Sequence, residues 1–160
     1  MRLIKLIAYL VAVLVLQTVV FTRLNLFGVF PDLVLVSVIL FAVLEENIPT
    51  GIIFSSAAGF LQDVISTGGY FNLFSKTIVN AAVNTIRTNF SGDESALIYG
   101  LVAGMGPLNI LAEEIWICFS AGSFHAPWLV LFKAITAVLY NLIITPVLLA
   151  IIKRVVYENQ

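Results

Sequence analysis

Between Leu6 and Thr22 the chain carries no charged residue. An apolar run of roughly 20 residues is the length of helix that crosses the hydrocarbon core of a bilayer. Five further apolar runs follow, so the constraint is set by the solvent the chain must meet. Of the 160 residues, 61% are hydrophobic and 11% charged, against roughly half and a quarter in a soluble domain. A core built from so short a chain cannot hide that much apolar surface from water, whereas lipid accepts it. In lipid every backbone polar group must be bonded internally, which selects the helix.

These considerations predict one domain over residues 1–160: an all-α, polytopic membrane helix bundle of about six transmembrane helices. The expected spans are about 3–22, 31–44, 49–65, 70–88, 94–119 and 128–152. Pro31 and Pro49 suit first helical positions. Glu45 and Glu46 end the second span, and Ser66, Thr67, Gly68 and Gly69 make a turn after the third. Gly104, Gly106 and Pro107 predict a kink in the fifth. Arg2 and Lys5 precede the first run as in a signal peptide. That run is long for one, and no small-residue cleavage site follows at Arg23, Leu24 and Asn25, so it reads as a retained helix. With six alternating helices, Arg2, Lys5, Arg87, Lys153 and Arg154 share one side and Arg23 alone takes the other. The excess of basic residues places both termini in the cytoplasm. Trp116, Trp128 and Tyr70 then fall near the outer ends, as in an aromatic belt.

Polar residues inside the spans are the informative ones. Asn72, Lys76, Asn80, Asn84 and Arg87 recur at helical spacing along the fourth span and form one stripe. That stripe must face protein or a polar cavity, since a charge facing lipid is costly. By depth, Lys76, Glu113, Glu114, Lys133 and Asp63 share the outer half of the bundle. The expected pairing joins Lys76 and Lys133 to Asp63 and one of Glu113 or Glu114. Gly51, Ser55 and Gly59 on the third span, and Gly100 and Gly104 on the fifth, have the small-residue spacing of close helix contact. Both faces are candidates for a partner groove.

Little points to chemistry. The net charge of −1 gives no field for nucleic acid. Cys118, the only cysteine, makes no internal disulfide and reads as a small core residue, and His125, the only histidine, reads as a surface residue. A nucleophile beside an oriented base, a metal-ligand cluster and a phosphate-binding glycine loop are all missing from the sequence. Asp63 with Glu113 lacks a recognisable aspartyl-protease motif. The chain is therefore expected to be no enzyme and to use no cofactor.

Three local patterns resemble a known family. Pro31 and Asp32 open the apolar second span. The third runs from Gly51 to Gly59 into Phe60, Leu61, Gln62 and Asp63, followed by the Ser-Thr-Gly-Gly turn. The last contains Leu139, Tyr140 and Asn141, with Pro146 five residues on and then a basic end. In order, spacing and total length these resemble the bacterial rod shape-determining membrane protein MreD family across essentially the whole chain. The resemblance implies a non-catalytic subunit of the cell-elongation complex in the bacterial cytoplasmic (inner) membrane. Such a subunit binds the single-span scaffold protein MreC. Through MreC it connects MreB filaments to the RodA glycosyltransferase and its class B transpeptidase. The alternative is a substrate-binding subunit of an energy-coupling-factor vitamin transporter, whose length and hydropathy are similar. A closed cavity with unpaired donors would favour the transporter subunit, and a helix-sized apolar groove the scaffold partner.

Overall fold

The computed structural model describes residues 2–24, 29–66, 69–122 and 125–157. Among them are six α-helices: α1 Arg2–Val15, α2 Leu33–Leu44, α3 Ile48–Ser66, α4 Phe71–Asn89, α5 Glu94–Ala121 and α6 Pro127–Ile152. A π-turn at Leu16–Val20 and a 3-10 turn at Phe21–Leu24 continue α1, and a π-turn at Lys153–Tyr157 continues α6. Thr67 and Gly68 of the expected turn after α3, and Ser123 and Phe124 of the loop before α6, lie outside the described residues.

The helix ends follow from local chemistry. Asp93 opens α5 by accepting a hydrogen bond from Ala96 N at 3.1 Å, the usual job of an N-cap carboxylate. Gly122, at φ +64°, closes α5 in the left-handed conformation that glycine adopts without strain. Pro127 starts α6, where its missing N–H costs nothing.

At the centre stands α2, which packs against each of the other five helices. Its residues from Leu33 to Val43 are all buried, with no apolar stripe and no polar face. Helices α3 and α4 pair on one flank, α5 and α6 on the other, and α1 closes the ring against α2 and the end of α6. At 12 residues α2 is only about 18 Å long, short of the roughly 30 Å hydrocarbon core. Four helical segments are long and apolar enough to cross a membrane: Leu3–Val20, Ile48–Ser66, Glu94–Ala121 and Pro127–Val156. Enclosed α2 and polar-striped α4 are the two that fall short.

Polarity is inverted relative to a water-soluble fold. Lys76, Asn80, Asn84, Asn109, Asn141 and Thr145 are buried, while Ile53, Phe74, Ile78, Phe119, Trp128 and Ile143 are exposed. That arrangement suits a hydrocarbon solvent and makes this a membrane protein. Two expectations change here. Cys118 is exposed on α5, where an apolar surrounding tolerates a thiol as well as a core would. The small-residue face of α3 is consumed inside the chain. Gly51 meets the Asn80 carboxamide, Ser55 is fully buried, and Gly59 lies on the α4 backbone at Asn72. Gly100 and Gly104, by contrast, have open space beside them.

A Cβ on Gly59 would sit 2.3 Å from the Asn72 carbonyl oxygen, a clash with backbone that α3 and α4 can relieve only by separating. Gly59→Ala is therefore expected to destabilise the fold by about 1–3 kcal/mol. Gly104→Ala, in open space, should match or slightly exceed the parent. Unfolding of the two variants in the same detergent checks this; equal losses would contradict the packing described.

Candidate functional site

The start of α2 creates a problem that the rest of the chain answers. An α-helix leaves its first N–H groups without internal partners, and here that end is inside protein. Asp32 caps it, its Oδ1 accepting from Leu35 N at 2.9 Å. Its Oδ2 receives Lys76 Nζ from α4 at 2.6 Å, and the lysine is fully buried. The Asp32 N–H donates to Asn141 Oδ1 of α6 at 3.0 Å, and the Val34 N–H to Gln17 Oε1 of the π-turn after α1 at 3.0 Å. Side chains from three other helical segments thus meet at one helix end.

The far end of α2 is tied to the same neighbour. Arg87 of α4 donates to the carbonyls of Val43 at 3.2 Å and Glu45 at 2.6 Å. The stripe on α4 therefore runs along α2 from Lys76 at its start to Arg87 at its end. Between them Asn84 Nδ2 donates to the Asn80 side-chain and backbone oxygens, both at 2.9 Å. The stripe faces packed protein at these two asparagines.

Asp63 acts on a different helix. Tyr70, at the start of α4, gives no side-chain cap. The Asp63 carboxylate replaces it, accepting from Asn72 N and Asn72 Nδ2 at 3.0 Å and from Leu73 N at 2.8 Å. The expected pairing of Lys76 with Asp63 is thus corrected: Lys76 pairs with Asp32, because the backbone N–H groups of α4 already occupy Asp63. On the other flank, Glu114 Oε1 accepts from Lys133 Nζ at 3.0 Å and its Oε2 lies 2.8 Å from His125 Nδ1. His125 is therefore a half-exposed partner of a buried carboxylate. Glu113, one residue back, makes no hydrogen bond or ion pair with the described residues.

These groups surround a cavity of about 210 Å³ whose wall mixes polar side chains with apolar ones such as Phe30 and Ile110. Gln17, Asp32, Gln62, Asn72, Asn109, Glu113, Glu114, Lys133 and Asn141 line it, with Gly106 at its wall. Lys76 stands behind Asp32, while Asn80 and Asn84 lie further along α4, outside the lining. Asn109 accepts from the Ser75 hydroxyl and so ties α5 to α4. Two of these residues, Gln17 and Asn109, are absent from the sequence reading. Gln17 carried a signal, as a carboxamide in the middle of an apolar run. Asn109 did too, since it shares a helical face with Gly106 and Glu113. Among the described residues no group of three His, Cys, Asp or Glu side chains could hold a metal ion.

A second concavity differs in kind. Between α4 and α5 lies a groove of about 390 Å³, open to the side and almost wholly apolar. Phe71, Phe74, Ile78, Met105, Leu108 and Trp116 form its walls. Comparison with protein-family models, curated proteins and solved structures returned no match to this chain.

Removing one member of a buried ion pair strands the other. Lys76→Met is expected to lower stability by about 3–5 kcal/mol. Adding Asp32→Asn to Lys76→Met should recover part of that loss, since Asn still caps a helix and carries no charge. Denaturation of the two single variants and the double variant measures the coupling, and strict additivity would contradict the pairing.

Proposed function

We propose that the chain is a six-span, non-catalytic subunit of the bacterial cell-elongation complex, in the cytoplasmic membrane with both termini inside. In this reading it binds a single-span scaffold of the MreC type and links MreB filaments to the RodA glycosyltransferase and its class B transpeptidase. One observation supports it most. The separate motifs that carry the resemblance to the MreD family meet in one connected structure. Asp32 bonds to Asn141, 109 positions away, and Gln62 lines the same cavity as both. Gly59 and Asp63 both engage Asn72 at the start of α4. Pro146 lies outside this network, on α6 one turn beyond Asn141.

The apolar groove between α4 and α5 supplies a seat for a partner helix. It has the width to be lined from both sides by large side chains and offers little that needs water. In lipid, helices associate through such close van der Waals packing. Gly100 and Gly104 leave open space on α5, whereas the small-residue face of α3 is already packed. The vitamin-transporter alternative draws on the polar cavity, whose unpaired donors were its expected mark. At about 210 Å³ that cavity is below the roughly 300–1,000 Å³ of pockets that hold drug-sized ligands, which weighs against a vitamin.

Co-expression with an MreC-like single-span protein, followed by purification through a tag on this chain, tests the proposal. A complex of fixed ratio is expected. Phe74→Ala with Leu108→Ala should reduce the recovered partner about tenfold, equivalent to about 1.4 kcal/mol, while Ile143→Ala on α6 leaves it unchanged. Absence of any complex with the parent chain would overturn the scaffold reading. Equal recovery with the groove variant would move the seat elsewhere.

A further inference from the structure

The polar cavity is not neutral in its hydrogen-bonding capacity, and the imbalance has a direction. On one side are donors. A backbone N–H can only donate, so Asn141 and Gln17 must turn their oxygens toward Asp32 N and Val34 N. Each is thereby left with a side-chain NH2 that no described residue accepts. Asn141 is 1% exposed and Gln17 4%, so both amides stay inside the protein, at the cavity they line. Asn141 Nδ2 is aimed at Gly106, 3.4 Å from where a Cβ would stand. The missing side chain leaves that space to the cavity.

On the other side are acceptors. Gln62 Oε1 is buried with no hydrogen-bond donor. The Glu113 carboxyl lines the cavity with no hydrogen bond or ion pair to the described residues. Charge points the same way. Asp32 is matched by Lys76, and Glu114 by Lys133 and His125, which leaves Glu113 as the lining carboxyl with no ion-pair partner among the described residues. An occupant that completes this lining brings both N–H donors on a cation and an acceptor oxygen.

We infer that the cavity binds an aminoethoxy group, a primary ammonium two carbons from an oxygen, as in ethanolamine or the headgroup of phosphatidylethanolamine. The ammonium meets Glu113 and Gln62 Oε1, and the oxygen accepts from Asn141 Nδ2 and Gln17 Nε2. A fully methylated ammonium has the same charge and no N–H, so it satisfies neither the Gln62 oxygen nor the directional needs of the carboxylate. About 210 Å³, below the roughly 300–1,000 Å³ of pockets that hold drug-sized ligands, is room for a headgroup but not for a large solute. This inference needs no partner protein and stands apart from the scaffold reading.

The test uses the full chain in phosphatidylcholine nanodiscs. In one arm, ethanolamine or choline is titrated and the unfolding midpoint followed. In the other, discs carry mixed phosphatidylethanolamine and phosphatidylcholine, and the retained lipid is identified by native mass spectrometry. A rise in midpoint with ethanolamine and none with choline supports a soluble amine. Selective retention of phosphatidylethanolamine without a response to free ethanolamine supports the lipid headgroup. In either case Glu113→Gln should weaken the apparent affinity about tenfold or more. Its midpoint without ligand is read alongside, so that lost binding is told apart from lost stability. Gly106→Ala, which puts a methyl group into the cavity wall, provides a second variant expected to weaken binding. No preference for the primary amine in either arm would mean that the cavity holds water only, and a Glu113→Gln protein that responds as the parent does would mean that the amine binds without Glu113; either result overturns the inference.

Discussion

A helix enclosed by protein on every side cannot leave its end groups to water, and α2 is such a helix. Its first N–H groups and last carbonyls carry the partial charges of the helix dipole, positive at the start and negative at the end. The chain meets both with α4. At the start, a carboxylate caps the helix and a buried lysine neutralises that carboxylate; at the end, a guanidinium takes the free carbonyls. Lys76 and Arg87 are thus parts of one device, separated along α4 by about the length of α2. With both ends secured, α2 can be apolar all round and serve as the axis against which five other helices pack.

The same logic extends outward. Where α4 itself begins, Asp63 from α3 takes the orphan N–H groups, and Gly59 lets the two backbones close on each other. The Ser56 and Thr77 hydroxyls add a direct bond, 2.9 Å apart. On the opposite flank the pair of Glu114 and Lys133 joins α5 to α6. Polar contacts therefore mark the places where helices meet, while the outside is left to hydrophobic side chains. The cavity is what remains where those contacts converge without filling the space.

Much of this was legible in the sequence. The apolar runs and their polar breaks locate the helices to within a residue or two at most ends, because length and hydropathy alone decide where a helix can sit in lipid. The stripe on α4 was readable from spacing. Its use was not, because a stripe says which face is buried and is silent on what lies opposite. Asp32 illustrates the gap. As a residue beside Pro31 it read as a helix start, which it is, yet nothing local reveals that a lysine 44 positions later completes it. Gln17 is similar: it sits in a π-turn with its carboxamide on α2, a placement that leaves no periodic trace. Gly59 and Gly104 share a sequence signature and differ wholly in surroundings, so the signature names a capacity for close approach without naming the neighbour.

The order in which the parts of the α2 device leave the ribosome has its own consequence. Lys76 follows Asp32 by 44 residues, Arg87 follows Val43 by the same number, and Asn141 follows Asp32 by 109. When α2 first reaches the translocon, Gln17 and its own Asp32 cap have been made, but Lys76, Arg87 and Asn141 have not. A segment of 12 residues with an unneutralised capping carboxylate and free end carbonyls is a poor candidate for release into lipid by itself. Biogenesis of this protein therefore cannot be a simple succession of helices entering one at a time. The second helix has to be sheltered, by the insertion machinery or by α1, until the fourth arrives to hold it.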